Sequence, residues 1–380
     1  YLNDPNQVLD VAVPLGKPLE DLEFVARLYE VTTTIVGGWK NAARTDINIE
    51  ILSGGITNAL YVVQNKARNE KVIVRLFGVG TDLFIDRRIE NEVFSFLSMH
   101  GMGPTFHGLF GNGRVEGFLP ARNLIPNEFS HPKIARGTAA TMAKMHAQKI
   151  VLSRESSIWS KTKHIISLLQ DVHFQSPSLQ SAMDSLNLPE LSRSAEALHA
   201  TIVQKGAGLE AKGEARTEYE AGQHFALQDA FTHNDLLSGN VLIPLDFFEN
   251  DTAGEIKFID YEYAGYNTRA FDIANHFCEY AGFDFDMDAD FPDSEKRRFF
   301  IESYVKQVRC HPVEGDPVVL ESDDFFNGFE NVVLLHVLLS HLFWGVWAAL
   351  QSSMSTIDFD FMDYATKRVA GFQKHKSIFL

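Results

Sequence analysis

Apolar positions along the chain change their period twice. From residue 47 to residue 78 they fall in short β-branched runs: "INIEIL" and "ALYVVQN" flank a Ser53-Gly54-Gly55 turn, and "KVIVRLFG" (71–78) follows. Runs of this length bounded by Gly, Asn and Ser predict strands joined by turns. Residues 86–101, "DRRIENEVFSFLSMHG", shift to helical spacing, with Ile89, Val93, Phe96 and Leu97 on one stripe and Gly101 as the stop. "RVEGFLP" (114–120) predicts another strand, ended by proline, and an earlier helix is expected over roughly 19–40. Beyond residue 130 helical spacing dominates, at 131–150, 159–170, 190–204, 294–309, 325–352 and 360–374, with short strands only around 241–244 and 256–260. Residues 205–223, rich in Gly, Ala and Glu, read as a surface connection. The pattern predicts an α+β chain in two lobes: a small antiparallel sheet with a helix over 1–119, then a mainly helical part over 120–380.

Composition narrows the partners. The 380 residues are 45% hydrophobic and 22% charged, enough to build a sizeable core, and the net charge is −16. Such a surface repels phosphate backbones, so no nucleic-acid partner is expected, and small cations are the natural ligands. Cys278 and Cys310 are too few for a disulfide framework; with no secretory leader read at the start, the expected compartment is the cytosol. Residues 332–350, "VVLLHVLLSHLFWGVWAAL", carry no formal charge and are long enough to span a bilayer. His336, Ser340 and His341 interrupt them, and no Lys/Arg cluster flanks them, so a helix buried on nearly all sides is expected and no transmembrane segment.

The candidate chemistry lies in "FTHNDLLSGNVL" (231–242), where a polar knot sits between two segments that want burial. An Asp, four residues, then an Asn is the spacing of a kinase catalytic loop: Asp235 beside an attacking hydroxyl to take its proton, and Asn240 offering a carboxamide oxygen to Mg²⁺. A lone pair of this kind is more often a turn or a helix cap. Here a second hard oxygen ligand follows, Asp260 in "IKFIDYEYAGY", at the end of an apolar strand. Small sheet, helical lobe and these three residues together outline the protein-kinase-like fold, with ATP and Mg²⁺ as cofactors.

"FTHNDLLSGNVL", "IKFIDYEYAGYNTRAFDIANHFCEYAG" and "SHLFWGVWAALQSSMSTIDFDFMDYA" resemble the signature segments of the eukaryotic choline/ethanolamine kinases. "ILSGGITNALY", "VIVRLFG" and "MAKMHA" extend the similarity from about residue 50 to the C-terminus. "HNDLLSGN", "IDYEYAGYN" and "STIDFDF" are nearer to ethanolamine kinases, whereas "EGFLPARNL" and "HFCEY" lean to choline kinases. The resemblance implies ATP-dependent phosphorylation of an amino alcohol's hydroxyl, the first step towards phosphatidylethanolamine or phosphatidylcholine, with ethanolamine favoured and choline a side substrate. It leaves open a choline or dual-specificity kinase, a catalytically silent scaffold, and whether a homodimer forms. A protein kinase is disfavoured, because the loop lacks the Arg of H-R-D and Asp260 is followed by Tyr-Glu. An aminoglycoside phosphotransferase would lack the C-terminal aromatic motif.

The resemblance also distributes roles. Ser53, Gly54, Gly55, Thr57 and Asn58 form a turn whose backbone N–H groups can cover phosphates, although alone it is an ordinary hairpin. Arg75 stands where kinases place a lysine, able to reach the α/β-phosphates, with Glu90 its expected ion-pair partner. Gly117, Phe118 and Leu119 resemble the adenine-recognising hinge. Leu237 stands where choline members carry a Gln, which puts that ATP contact in doubt. Asp272 looks like the carboxylate that pins the catalytic loop. Tyr263, Glu279, Trp344, Trp347, Phe359 and Tyr364 are expected to line the amino-alcohol site, since aromatic faces attract ammonium groups and carboxylates neutralise them. Without the resemblance, core packing explains each aromatic equally well.

Overall fold

The computed structural model describes residues 7–52, 58–78, 86–153, 155–249, 255–310, 321–355 and 357–379. By contact the chain divides into two units, Tyr1–Arg122 with Ile243–Glu262, and Asn123–Leu242 with Tyr263–Leu380. The first unit is thus discontinuous, where the hydrophobic pattern drew a single cut after residue 119.

In the first unit the chain runs through β1 (Val8–Leu9), α1 (Leu22–Ile35), β2 (Ile47–Leu52), β3 (Asn58–Asn65), β4 (Glu70–Phe77), α2 (Arg87–Met99), β5 (Phe106–Phe110) and β6 (Gly113–Gly117). The strands form one sheet in the order β1-β5-β6-β4-β3-β2. Every pairing is antiparallel except β1 with β5, so the sheet is mixed at one edge. Helix α1 starts at its Asp21 cap, whose carboxylate accepts from the Phe24 N–H, and lays Phe24, Leu28, Val31 and Ile35 on Tyr61, Val63, Val72, Val74, Leu76 and Val115.

Strand alternation then fixes what lies on the other face. Val72, Val74, Leu76 and Val115 point to α1, so Arg75, Arg114 and Glu116 point away from it. Arg75 and Arg114 are directly opposite each other in the β4–β6 ladder. Two like charges in that position repel unless carboxylates intervene. Helix α2 supplies one: it buries Glu90, Val93, Phe94 and Leu97, so its inner stripe is rotated from the expected Ile89–Phe96 line.

The chain continues through β7 (Ala121–Asn123), α3 (Pro132–His146), α4 (Ser157–Leu169), α5 (Pro177–Ser185), α6 (Leu188–Lys212), α7 (Glu218–Leu227), β8 (Asp229–Thr232), β9 (Val241–Pro244), β10 (Lys257–Phe258), β11 (Gly265–Thr268), α8 (Arg269–Cys278), α9 (Met287–Asp290), α10 (Ser294–Cys310), α11 (Asp323–Met354) and α12 (Phe361–Phe379). The expected connection over 205–223 is mostly helical: α6 carries on to Lys212 and α7 begins at Glu218. Gly206 and Gly208 read as breakers, but buried Leu209 holds the last turns down, and the helix stops at Gly213, whose φ is +51°.

Helix α11 is the axis of the second unit and packs against α12, α7, α8, α4 and α10. Its crossing with α7 is a backbone approach: a Cβ on Gly222 would strike the Phe325 carbonyl, and one on Gly328 the Tyr219 carbonyl. It is long and apolar enough to cross a membrane, yet 94% of its most apolar window is buried within the fold. Its hydrophobicity serves packing, as expected for a helix buried all round.

Candidate active site

The loop after β8 is built around a left-handed residue. Antiparallel pairing of β8 with β11 brings Thr232 opposite Gly265. The chain then turns at Asn234, with φ +66°. That conformation costs a non-glycine residue about 1 kcal/mol or more, and here side-chain bonds offset it. Asn234 Nδ2 donates to the Tyr263 carbonyl at 2.9 Å, while its Oδ1 accepts from Thr232 Oγ1 at 2.9 Å. Five residues on from Asp235, Asn240 turns back: its Nδ2 donates to the Asp235 carbonyl at 2.8 Å and to carboxylate Oδ2 at 3.3 Å. The amide nitrogen is spent on Asp235, which leaves the carboxamide oxygen as Asn240's ligand atom. Leu237 contributes its carbonyl, which accepts from the Asn240 N–H at 3.0 Å.

Asp272, fully buried in the first turn of α8, holds this loop. Its Oδ1 accepts the Asn234 N–H at 2.7 Å and its Oδ2 the His233 N–H at 3.0 Å. His146 adds a third bond, Nε2–H to Oδ2 at 2.9 Å. Burial lowers the His146 pKa, so the ring is neutral and the contact is a hydrogen bond with no full ion pair. Burial is the largest influence on Asp272 and opposes its charge, but the contacts of His146 and His233 together outweigh it and the carboxyl lies below its ordinary range. Behind His146 the chain of bonds runs to the Tyr304 hydroxyl (2.7 Å) and from there to Arg269 (2.8 Å). His276 fastens the loop a second time, with Nδ1 3.2 Å from the Leu236 carbonyl. Sequence reasoning found Asp272 by resemblance and missed His276, which bonds the loop from the same helix, and Tyr304, which stands behind His146 from α10.

In the first unit Arg75 is buried and remains charged. Burial opposes the charge, and Glu116, Asp260 and Glu90 together outweigh it. Its partner differs from the expected one: Nε donates to Glu116 Oε1 at 2.7 Å, and Nη1 lies 3.5 Å from Asp260 Oδ2. Glu90 instead binds Arg114 at 2.7 Å and Arg87 at 2.6 Å. The reason is the ladder: Arg114 lies opposite Arg75, and Glu116, two residues along on the same face, reaches both guanidiniums (Arg114 Nε at 2.6 Å).

Asp260 also sits at left-handed φ, +65°, and its Oδ1 is buried with no hydrogen-bond partner among the described residues. An orphaned, hard anionic oxygen fits a divalent cation. No group of three or more His, Cys, Asp or Glu side chains gathers among the described residues.

At the expected hinge, the Gly117 N–H is committed to the Thr105 carbonyl and the Leu119 carbonyl to the Ala121 N–H. Among the described residues, both backbone groups of Phe118 remain without a protein partner, as an adenine edge requires. Of the expected phosphate turn, Asn58 opens β3, and its Oδ1 lies 3.4 Å from both Gly78 N and Arg87 Nη2. Ser53, Gly54, Gly55 and Thr57 lie outside the described residues.

The six residues expected at the amino-alcohol site gather in the second unit. Trp344 and Trp347, one helical turn apart on α11, meet edge to face with centroids 5.3 Å apart, and Tyr263 meets Trp344 at 5.3 Å. Phe359, half-exposed, packs on Phe361 and Tyr364, and Phe361 packs on Trp347. Both indole N–H groups are spent within the protein, Trp344 Nε1 on Asn275 Oδ1 (2.7 Å) and Trp347 Nε1 on the Tyr263 hydroxyl (2.8 Å). The Trp side chains therefore have only π faces left to offer. One face of Tyr263 is covered by Lys161 Nζ at 4.9 Å, which makes this ring more a support than a cation's seat.

Glu279 closes the group. It is 6% exposed, and burial raises its pKa against the opposing influence of Arg368. Its nearest ionic partner is Arg368 Nη1 at 3.6 Å. Asp235 is close enough for its charge to help burial raise the Tyr364 phenol. Arg368 went unnoticed in the sequence. A lone arginine one turn after Tyr364, inside "YATKRVAGF", was the available signal.

The comparisons with known proteins agree with this layout. The choline/ethanolamine kinase family model matches residues 49–373. A probable ethanolamine kinase of Arabidopsis thaliana is 32% identical, the match covering 98% of this chain and 89% of that one. A choline/ethanolamine kinase of Rattus norvegicus is 28% identical over 90% of this chain and 84% of its own length. In structure, an ethanolamine kinase of Plasmodium vivax superposes with a TM-score of 0.74 at 22% identity, covering 95% of this chain and 93% of that one. A choline kinase of Cryptosporidium parvum gives 0.71 at 23% identity, over 93% and 96%. The fold is accordingly protein-kinase-like, and the chain belongs to the choline/ethanolamine kinase family.

Proposed function

We propose that this protein transfers the γ-phosphoryl group of ATP to the hydroxyl of ethanolamine, with choline a slower substrate. Asp235 takes the hydroxyl proton as the oxygen attacks the γ-phosphorus and ADP departs. The bonds from Asp272 and Asn240 hold that carboxylate's loop in place. Arg75 is held charged by Glu116 to face the ATP phosphates, and Phe118 offers its backbone to adenine. Asn240 and Asp260 would each offer Mg²⁺ an oxygen ligand, and the ion would neutralise phosphate charge.

One observation carries the preference for ethanolamine: beside the aromatic faces stands a carboxylate, Glu279, whose nearest cation among the described residues, Arg368, stands 3.6 Å away. An ammonium carries three N–H donors, each needing an acceptor once water is removed, whereas a trimethylammonium carries none. The Arabidopsis relative's name supports the same reading. The indole faces of Trp344 and Trp347 favour a second reading, a dual-specificity kinase, because cation–π attraction serves a quaternary amine well. ATP turnover measured in parallel with ethanolamine, its N-methylated forms and choline decides between them. The expected order is falling kcat/KM with each added methyl, and a rising order assigns choline as the substrate.

A further inference from the structure

The buried residue that the proposed reaction leaves unexplained is Arg368, on α12. Its guanidinium is fully buried and is fixed by groups other than Glu279. Nη2 donates to the Ser340 carbonyl at 2.9 Å and to Ser340 Oγ at 2.7 Å. The plane of the group lies 4.4 Å from the Phe285 ring centroid. Nη1 then points towards the Tyr364 hydroxyl at 3.3 Å and stands 3.6 Å from Glu279 Oε1. Through Ser340 Oγ, which donates to Asn275 Oδ1 at 2.8 Å, the same network reaches the acceptor of the Trp344 N–H. A single cation thus stands against Glu279 and Tyr364 and is linked to Trp344 through Ser340 and Asn275.

We propose that Arg368 is a positioning residue of the amino-alcohol site: anchored by Ser340 and Phe285, it keeps Glu279 an ionised carboxylate with open acceptor positions and sets the Tyr364 hydroxyl. The distance is the argument. A short bidentate pair would place the guanidinium on both carboxylate oxygens and leave nothing for a ligand. At 3.6 Å, held by other partners, Arg368 gives Glu279 a counter-charge without occupying its lone pairs. Burial alone would push a carboxyl towards the neutral acid, which offers an ammonium one donor too many. The inference rests on the proposed amino-alcohol site and adds to it a residue that never meets the reacting atoms.

Arg368 from α12 is the ion-pair partner of Glu279, Cys278 and Tyr280 flank it in the chain, Tyr364 feels the charges of Glu279 and Asp235, and His341 from α11 feels that of Arg368. Of these, Arg368 is the cation that opposes the effect of burial on Glu279, and Tyr364 and Cys278 stay protonated at neutral pH because burial raises both. His341 is held neutral, its pKa depressed by burial first and then by Arg368.

The test is steady-state kinetics of Arg368→Met and Arg368→Lys from pH 6.5 to 8.5, with ethanolamine, choline and ATP varied in turn. Arg368→Met should raise KM for ethanolamine at pH 7 by about thirtyfold, leave KM for ATP within about twofold, and lower kcat much less than kcat/KM. Its kcat/KM should climb with pH where the wild type is level, since Glu279 then ionises at a higher pH. Arg368→Lys should recover most of the loss. Should Arg368→Met not fold, the pair Arg368→Lys and Glu279→Gln answers the question: in the Glu279→Gln background, Arg368→Lys should have no further effect on KM or on its pH profile. A loss shared by ATP and amine, an unmoved pH profile, or full additivity with Glu279→Gln overturns the proposal. If the wild type proves to prefer choline, the ethanolamine reading fails by itself. The Arg368–Glu279 coupling is then read in the choline KM, because a quaternary ammonium also needs the carboxylate's charge.

Discussion

The buried charges around Arg75 and those around Arg368 are built to opposite plans. In the first unit, Arg75, Arg114, Glu116, Glu90 and Arg87 are joined by contacts of 2.6–2.7 Å, so each carboxylate serves two guanidiniums. In the second unit, Arg368 is held by Ser340, Phe285 and the Tyr364 hydroxyl, its Nε has no hydrogen-bond partner among the described residues, and Nη1 stops 3.6 Å short of Glu279. The first arrangement spends its charges on each other and so fixes Arg75 in place. The second withholds one carboxylate from its neighbours. Saturation produces rigidity, and an unsaturated acceptor produces a place for a ligand, at the cost of carrying a desolvated group.

The largest expected effect lies at a third carboxylate, Asp235, whose loop Asp272 and Asn240 hold in place. Asp235→Asn should lower kcat about a thousandfold or more and leave ATP affinity nearly unchanged, because a base acts only when the hydroxyl is attacked. Single-turnover measurement with a separate nucleotide-binding assay checks both halves. Near-normal turnover removes the assigned base.

Next comes the direct contrast between the clusters. Glu116→Gln removes the shared partner of two buried arginines, and should destabilise the first unit by about 3–5 kcal/mol. Glu279→Gln removes a carboxylate that binds little, and should change stability by about 1 kcal/mol or less while raising KM for ethanolamine strongly. Denaturant titration of both variants measures the difference. Equal losses of stability mean that Glu279 is as structural as Glu116.

Sequence pattern could see the elements of these clusters and not their pairings. Asp235, Asn240 and Asp260 stood out because their spacing in the chain is the chemistry, and α11 because nineteen uncharged residues admit few fates. The Arg75–Glu116 pair was invisible, since it depends on which residues of β4 and β6 share a register, and turns from 90 to 116 as acceptor with that register. Glu90 was a sound guess by element and wrong by partner. Gly206 and Gly208 misled for a different reason: glycine's cost in a helix is about 1 kcal/mol, and one buried leucine in the next turn is enough to override it. Arg368 was hidden by being a charge in an amphipathic helix, where most arginines face water.

The aromatic half of the second site should separate the two amines. Because both indole N–H groups are already bonded, Trp344→Ala and Trp347→Ala remove π faces and little else from the ligand's surroundings. Each should raise KM for choline roughly tenfold and for ethanolamine about threefold, in line with about 0.5–2 kcal/mol for a partly desolvated cation–π contact. An equal loss for both amines makes the pair scaffold.

The smallest effect is a pH dependence of stability that belongs to the first cluster. Glu262 lies 3.7 Å from Arg87, yet burial, then the charges of Asp260 and Glu90, push its pKa up to about 8. The native state therefore holds a proton that an unfolded chain releases near its ordinary carboxyl pKa. With more protons bound in the native state, unfolding free energy falls as pH rises, and this loss is complete only above about pH 8. The buried histidines act in the opposite sense: His276 and His336 are lowered to about 4, so their contribution grows with pH and is complete near the unfolded value of about 6.5. Cys278, raised to about 11, begins to matter only above its unfolded value of about 8.5. Between pH 7 and 8.5 the Glu262 proton is what remains of these three effects. Wild-type stability should decline there by roughly 1 kcal/mol, well below the full linkage value because the proton is shared with Asp260, and Glu262→Gln should flatten the slope. Urea midpoints taken every half pH unit on both proteins, without nucleotide, resolve it. A slope that survives in Glu262→Gln, or a wild type that gains stability across this window, means that the saturated cluster has neutralised Glu262's neighbours more completely than its geometry indicates.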